Sequence, residues 1–196
     1  MDYSQFFNMI PEAGLMAILV IVFLADLFLK GEKKHATLSM LTCALLVAQV
    51  VLCFNAQPAE AFAGLYTATA AAQVMKVILT AGAYIVVVMA QSWIEREDVL
   101  RKEGEFYELI ISTLLGMYMM ISSGHFLMFF LGLEMASVPM ACLVAFDKYK
   151  KISAEGAAKF ILTATFSSGV MLYGISFIYG ACGTLYFDDM AAKISA

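Results

Sequence analysis

One acidic residue, Glu134, stands near the middle of an apolar run from about His125 to Phe146. If this run is a helix that crosses a bilayer, Glu134 lies roughly 14 Å from its outer end, at a rise of 1.5 Å per residue. An ionised carboxylate at that depth costs on the order of 3 kcal/mol unless it faces other helices or water. Glu134 is therefore the residue that most constrains how this chain can fold.

The composition indicates a membrane protein. The chain of 196 residues is 62% hydrophobic and 14% charged, with a mean hydropathy of +0.84, whereas soluble domains are about half apolar and a quarter charged. No basic cluster alternates with aromatic residues, so nucleic acid is not expected as a partner. The four cysteines form no CxxC motif and no spacing typical of metal ligands, so no metal site is expected.

Hydropathy predicts an all-α integral membrane protein with about six transmembrane helices, since each crossing needs roughly 20 apolar residues. The first span begins at Pro11 or Gly14 and ends at Leu29. The other five cover about residues 37–54, 71–93, 106–122, 125–146 and 154–179.

The basic residues predict the orientation of these spans. All nine that flank them fall in the loops after spans one, three and five, at Lys30, Lys33, Lys34, Arg96, Arg101, Lys102, Lys148, Lys150 and Lys151. Because cytoplasmic loops carry the excess of Lys and Arg, loops 30–36, 94–105 and 147–153 are predicted to be cytoplasmic and the N-terminus to lie outside.

Two other charges inside the spans have simple explanations. Asp26 lies within a turn of the cytoplasmic end of the first span and is expected to reach water. Lys76 lies near the outer start of the third span, where a long side chain is expected to extend its ammonium group to the interface.

Glu134 has few local partners. Of its neighbours three and four residues away, only Ser137 can form a hydrogen bond, and Pro139 leaves the backbone carbonyl of Met135 without its helical donor. A carboxylate whose protonation follows the charge of its neighbours is suited to a proton relay. The alternative is a hydrogen bond that only packs helices together.

Lys159 is the second candidate, about one turn into the sixth span from its cytoplasmic end. Its depth differs from that of Glu134 by roughly 10 Å at helical rise, so the two should not pair directly. Water or another residue would have to connect them. The alternative for Lys159 is an ammonium group that extends to the interface.

Five motifs from the fourth to the sixth span resemble one family. They are Gly104-Glu105-Phe106-Tyr107, Leu115-Gly116-Met117, Phe129-Phe130-Leu131-Gly132-Leu133-Glu134 with Ser137 and Pro139, Ala157-Ala158-Lys159-Phe160, and Tyr179-Gly180-Ala181-Cys182-Gly183-Thr184-Leu185. Together they resemble the antiporter-like membrane subunits of proton-translocating NADH-quinone oxidoreductase (respiratory complex I), and subunit N within that group. The resemblance covers about residues 104–187 well and the first three spans only in pattern.

The resemblance implies a fold of about fourteen helices with two inverted five-helix repeats. Residues 1–103 would hold three N-terminal helices and a cytoplasmic loop, residues 104–187 the start of the first repeat, and residues 188–196 a truncated tail. The family glutamate that matches Glu134 pairs with a lysine on a broken seventh helix, and Lys159 matches a lysine of the same charge network. Because that seventh helix is missing here, the chain is expected to be an N-terminal fragment of a longer protein, or the product of a split or truncated gene, that does not pump alone.

The function implied is that of a membrane-arm subunit in a redox-driven proton pump, with Glu134 and Lys159 as proton-translocation charges. The expected partners are other membrane-arm subunits and the lipid bilayer of the cell inner (plasma) membrane. No cofactor or redox centre is expected in this chain, while quinone, NADH, FMN and iron–sulfur clusters would belong to the whole complex. Two alternatives stay open: a subunit of a monovalent cation/proton antiporter, and a non-transporting membrane scaffold.

Overall fold

The computed structural model describes residues 3–29, 34–95, 102–147 and 150–195. Within these ranges lie six long helices, so the predicted all-α membrane architecture is confirmed. The helices are α1 (Ile10–Phe28), α2 (Lys34–Asn55), α3 (Ala70–Ile94), α4 (Glu103–Ile121), α5 (Phe126–Val144) and α6 (Lys151–Cys182). A 3₁₀ helix (Tyr3–Met9) leads directly into α1.

Helix α4 lies at the centre of the bundle, against α1, α2, α3 and α5. Among the described helices, the other five are long and apolar enough to cross a membrane, whereas α4 is not among them. It carries acidic residues in its first turn, yet ten of its 19 residues are buried. A helix surrounded by other helices needs less hydrophobicity than one that faces lipid, which explains why the fourth predicted span is less apolar than the rest.

A β-hairpin that hydropathy did not predict closes one end of the bundle. Strands β1 (Ala59–Ala61) and β2 (Tyr66–Ala68) pair antiparallel between α2 and α3. The hairpin is tied to the end of α4, because the Gly124 N–H donates to the Leu65 carbonyl at 2.8 Å. A Cβ atom at Gly124 would lie 2.0 Å from the Gly64 carbonyl oxygen, so only glycine fits there.

The segment predicted to be a tail contains a short helix, α7 (Phe187–Ile194). It follows an isolated β-bridge between His125 and Tyr186, and their rings stack edge to face with centroids 4.7 Å apart. Residues around α7 therefore lie at the hairpin end of the bundle.

The basic residues that predict the orientation are only partly described. Lys30, Lys33, Arg96, Arg101 and Lys148 lie outside the described residues. The remaining four, at the starts of α2, α4 and α6, share the end of the bundle opposite the hairpin: Lys34, Lys102, Lys150 and Lys151. Their common position agrees with the segregation in the sequence, while the side of the membrane on which they lie stays a prediction.

Candidate functional site

Glu134 lies in the middle of α5 and is half-buried. Among the described residues it makes no hydrogen bond and no ion pair. Ser137, the one helical neighbour able to bond to it, does not do so, because the Ser137 hydroxyl donates instead to the Leu133 carbonyl at 2.5 Å. A serine inside a helix commonly donates to the backbone carbonyl one turn earlier, and this bond leaves the Glu134 carboxylate without its one available local donor.

Two glycines let α4 and α5 approach so closely that their backbones touch. A Cβ at Gly116 would lie 2.4 Å from the Ala136 nitrogen, and a Cβ at Gly132 would lie 2.7 Å from the Met120 nitrogen. Since the helices run antiparallel, these two contacts place Glu134 level with the turn of α4 formed by residues 116–120.

Lys159 lies on the surface of α6, with 74% of its side chain exposed. It pairs with Glu155 at 2.5 Å, one turn earlier on the same helix. The structure therefore does not bring Lys159 and Glu134 together, in agreement with the difference in depth that the sequence predicts.

Lys159→Gln is expected to change the stability of the protein very little. An exposed i,i+4 ion pair contributes at most about 0.5 kcal/mol, because water screens both charges. The thermal unfolding midpoint of the full-length protein in detergent, measured beside that of Glu155→Gln, checks this. A large loss of stability in Lys159→Gln but not in Glu155→Gln would show that Lys159 has a structural partner other than Glu155.

A buried ion pair that the sequence did not reveal lies at the hairpin end of the bundle. Lys76 Nζ on α3 is 2.5 Å from Glu12 Oε1 on α1, and 0% and 5% of the two side chains are exposed. The prediction that Lys76 extends to the interface was wrong. Its side chain points into the helix bundle because Glu12, in the first turn of α1, neutralises its charge there.

Hydroxyl groups complete the surroundings of this pair. The Tyr66 hydroxyl donates to Glu12 Oε2 at 2.9 Å, and the Ser122 hydroxyl donates to Glu12 Oε1 at 3.2 Å. Lys76 Nζ also donates to the Tyr66 oxygen at 3.3 Å and lies 5.4 and 5.5 Å from the ring centres of Tyr66 and Tyr118. Both charges thus have hydrogen-bond partners, and the two rings add cation–π attraction.

Tyr66 stays protonated in this cluster. Burial raises the pKa of its phenol well above the usual value, and the neighbouring Glu12 carboxylate raises it further. The hydroxyl therefore acts as a hydrogen-bond donor to Glu12 at any physiological pH.

The polar cluster extends from Lys76 towards α2. The Tyr118 hydroxyl and the Thr80 hydroxyl both donate to the Lys76 carbonyl, at 3.3 and 2.7 Å. The Cys53 thiol lies 3.0 Å from the Tyr118 oxygen, and Gln49 Nε2 lies 3.6 Å from that thiol. Side chains from all of the first four helices thus join one buried network.

Part of this site had a signal in the sequence. Glu12 and Lys76 carry opposite charges and both lie at the outer ends of their predicted spans, so they had matching depths. Tyr66 and Ser122 carried no comparable signal, because their roles depend on how the hairpin folds over the helices.

The opposite end of the bundle has ion pairs of its own. Asp26 Oδ1 lies 2.9 Å from Lys34 Nζ, with 30% of the Asp26 side chain exposed, so this carboxylate does reach the surface as expected. His35 contacts the Glu103 carboxylate, of which 2% is exposed. In the described part of the chain, no three His, Cys, Asp or Glu residues are grouped as metal ligands would be.

Comparison with known proteins relates the chain to membrane subunits of respiratory complexes. Residues 123–195 match a family model described as NADH:quinone oxidoreductase/Mrp antiporter, TM. NADH-quinone oxidoreductase subunit N of Phocaeicola vulgatus is 52% identical over 195 residues, and that of Azobacteroides pseudotrichonymphae is 42% identical over 196. The matches cover 100% and 99% of this chain but 41% of each relative, so the chain spans about two fifths of their length.

Two solved structures share the fold. One chain of respiratory complex I from Thermus thermophilus with bound aureothin superposes with a TM-score of 0.73 and 25% identity, over 90% of this chain and 38% of that one. One chain of the membrane-bound sulfane sulfur reductase, an archaeal respiratory membrane complex, superposes with a TM-score of 0.78 and 18% identity, over 95% of this chain and 39% of that one. The second likeness concerns the fold alone.

Proposed function

Because the chain is homologous to NADH-quinone oxidoreductase subunit N over about two fifths of that subunit's length, we propose that it is part of a membrane-arm subunit that takes part in proton translocation coupled to quinone reduction. The observation that carries this proposal is Glu134. It is half-buried at the middle of an apolar helix and has no counter-charge among the described residues.

An ionised carboxylate at this depth carries a free-energy cost because it is removed from water, and any cation or proton that approaches it lowers that cost. The close contact of α4 and α5 holds its backbone rigidly, because glycine backbones pack directly against the facing helix. Glu134 can therefore bind and release a proton without a large movement of the helix. We assign Lys159, near the start of α6, to the same proton pathway, on the cytoplasmic side of Glu134.

The redox chemistry is proposed to lie in other subunits, where NADH, FMN, iron–sulfur clusters and quinone would bind. The proposed partners are other membrane-arm subunits of the complex. The proposed location is the cell inner (plasma) membrane, with the hairpin end of the bundle outside. The basic residues at the opposite end support this orientation, because positive charges favour the cytoplasmic side.

The test is Glu134→Gln in the full-length protein within its membrane complex. Gln keeps the size of the side chain but cannot ionise, so assembly should be unchanged while proton pumping per electron falls at least about a hundredfold, the lower end of the range for the loss of a proton-transferring group. Proton uptake into inverted vesicles during quinone reduction measures this ratio. Glu95→Gln, an exposed carboxylate at the end of α3, is the control, and unchanged pumping in Glu134→Gln would favour the scaffold alternative.

The family model covers Mrp antiporters as well, so a monovalent cation/proton antiporter subunit is the second candidate. The two functions differ in what drives transport. Proton movement that starts on addition of an electron donor supports the redox-driven pump, whereas proton movement that starts on addition of a sodium gradient supports the antiporter.

A further inference from the structure

We infer that a groove between α3 and α5 holds one acyl chain of a phospholipid, whose headgroup lies beside Lys151 at the end of the bundle opposite the hairpin. Neither Glu134 nor the buried pair of Glu12 and Lys76 lines this groove. The inference is therefore independent of the proposed function, and it is tested without any measurement of proton transport.

The groove exists because α3 and α5 both pack against α4 but make at most marginal contact with each other in the described part of the chain. The space that this leaves over α4 has a volume of about 470 Å³. Gly82 on α3 enlarges it, since nothing in the described ranges lies within 4 Å of a Cβ atom at that position. On the rim, Ile78 and Val86 are 57% and 51% exposed, so the groove opens towards the membrane.

The lining of the groove is suited to hydrocarbon and not to water. Every lining residue except Thr113 is apolar. The Thr113 hydroxyl already donates to the Leu109 carbonyl at 2.9 Å, one turn earlier on α4. A water molecule in the groove would therefore lack the roughly two to four polar partners that hold buried water in place.

The length of the groove matches one leaflet of a bilayer. Its floor on α4 runs from Phe106 to Met117, which is about 17 Å at a rise of 1.5 Å per residue. Half of a hydrocarbon core is about 15 Å thick. A helix with a diameter of about 10 Å would occupy roughly 1,300 Å³ over the same length, far more than the volume of the groove. The space therefore fits a hydrocarbon chain and not a further helix.

Aromatic rings mark where the groove ends, on the side of the bundle opposite the hairpin. The ring centre of Phe106 lies 5.7 Å from that of Trp93, at the end of α3, and 5.6 Å from that of Phe146, just after α5. Aromatic side chains concentrate at the boundary between hydrocarbon and headgroups. The glycerol backbone of a lipid in the groove would therefore lie at the level of these three rings.

Exposed charges at the same end are complementary to a phospholipid headgroup. The Ser153 hydroxyl donates to the Val144 carbonyl at 2.6 Å, which fixes the start of α6 beside Leu143 of the groove. Lys151, two residues before Ser153, is exposed and attracts a phosphate group. Glu105, exposed in the first turn of α4, is complementary to the ammonium group of a zwitterionic headgroup.

Packing, and not transfer out of water, would hold the chain in the groove. Lipid tails are as apolar as the lining, so no hydrophobic driving force separates the groove from the bilayer. Three helices contact the chain from three sides, whereas a lipid on the outer surface of the bundle meets protein on one side. Because dispersion attraction grows with the number of atoms in contact, we expect this lipid to stay bound when detergent removes the others.

The test is Gly82→Phe in the full-length protein within its membrane complex, purified in detergent. The new ring would project into the groove and fill it. Native mass spectrometry counts the phospholipids that remain on the washed complex, and this number is expected to fall by one. Ile85→Phe adds the same ring at a 56% exposed position of α3 outside the groove. It is the matched control and should retain the full number.

Lys151→Glu covers the case in which Gly82→Phe does not assemble. It leaves the groove unchanged and reverses the charge beside the headgroup, so the phospholipid concentration that saturates the delipidated complex should rise on the order of tenfold, since each basic residue near a lipid surface strengthens binding about fivefold. Lys193→Glu, the same change at the hairpin end, is the control.

Three results would overturn the inference. The first is an equal number of phospholipids on assembled Gly82→Phe and Ile85→Phe, and the second is equal lipid binding by Lys151→Glu and Lys193→Glu. The third is that the molecule lost from Gly82→Phe has the mass of a quinone and not of a phospholipid. None of these results changes the expected effect of Glu134→Gln on pumping, so the proposed function is judged separately.

Discussion

Lys76→Met is expected to destabilise the full-length protein by about 3–5 kcal/mol, the cost of leaving one partner of a buried ion pair without its counter-charge. The Glu12 carboxylate would keep its bonds from Tyr66 and Ser122, but both are neutral donors. It would be left as a negative charge in a site where the pair is almost fully buried. The thermal unfolding midpoint of the purified protein, and its amount in the membrane, should both fall clearly.

The control for this prediction is Glu12→Gln/Lys76→Met. Because both charges are then gone, most of the lost stability should return, and the two substitutions should be strongly non-additive. If the single and double variants were equally stable, Lys76 would stabilise the protein through its apolar stem and not through its charge.

Gly116→Ala is expected to disturb the contact between α4 and α5. The added Cβ would lie 2.4 Å from the Ala136 nitrogen and 2.7 Å from the Met135 carbonyl carbon. These are backbone atoms, so the helices must move apart, at a cost of about 1–3 kcal/mol for an overpacked contact. Since Glu134 lies between Gly132 and Ala136, proton pumping should fall together with stability.

Gly82→Ala is the matched control, because nothing lies within 4 Å of a Cβ at that position in the described part of the chain. It makes the same change in a neighbouring membrane helix and should leave stability and pumping nearly unchanged. Equal effects of the two substitutions would mean that helix propensity, and not the approach of α4 to α5, governs the result.

Much of the fold was accessible from hydropathy alone. A run of about 20 apolar residues forms a helix in a membrane whatever its neighbours are, because its backbone must satisfy its own hydrogen bonds. The six helices therefore lie close to where the sequence predicts them, within a few residues at the ends. The hairpin was not predictable in this way, since strands of three residues between Pro58 and Thr69 have no hydrophobic period to reveal them.

The candidate functional residues, like the fold, were only partly predictable from the sequence. Glu134 stands out in the sequence because a single charge in an apolar run is visible without any knowledge of packing, although its role in transport stays a proposal. The prediction for Lys76 was wrong because a lysine one or two turns from a membrane edge can either extend its ammonium group to the interface or pair with a buried carboxylate. Only the position of Glu12, 64 residues earlier in the chain, decides between them.

The sequence by itself determined the helices, the polar loops that separate them and the one charge in the middle of a span. These are properties of about 20 consecutive residues and of their transfer into lipid. The tertiary structure decided that α4 lies at the centre, that Gly116 and Gly132 bring α4 and α5 into backbone contact, and that Lys76 meets Glu12 under the hairpin. Each of these depends on which helix faces which, and local hydropathy does not carry that information.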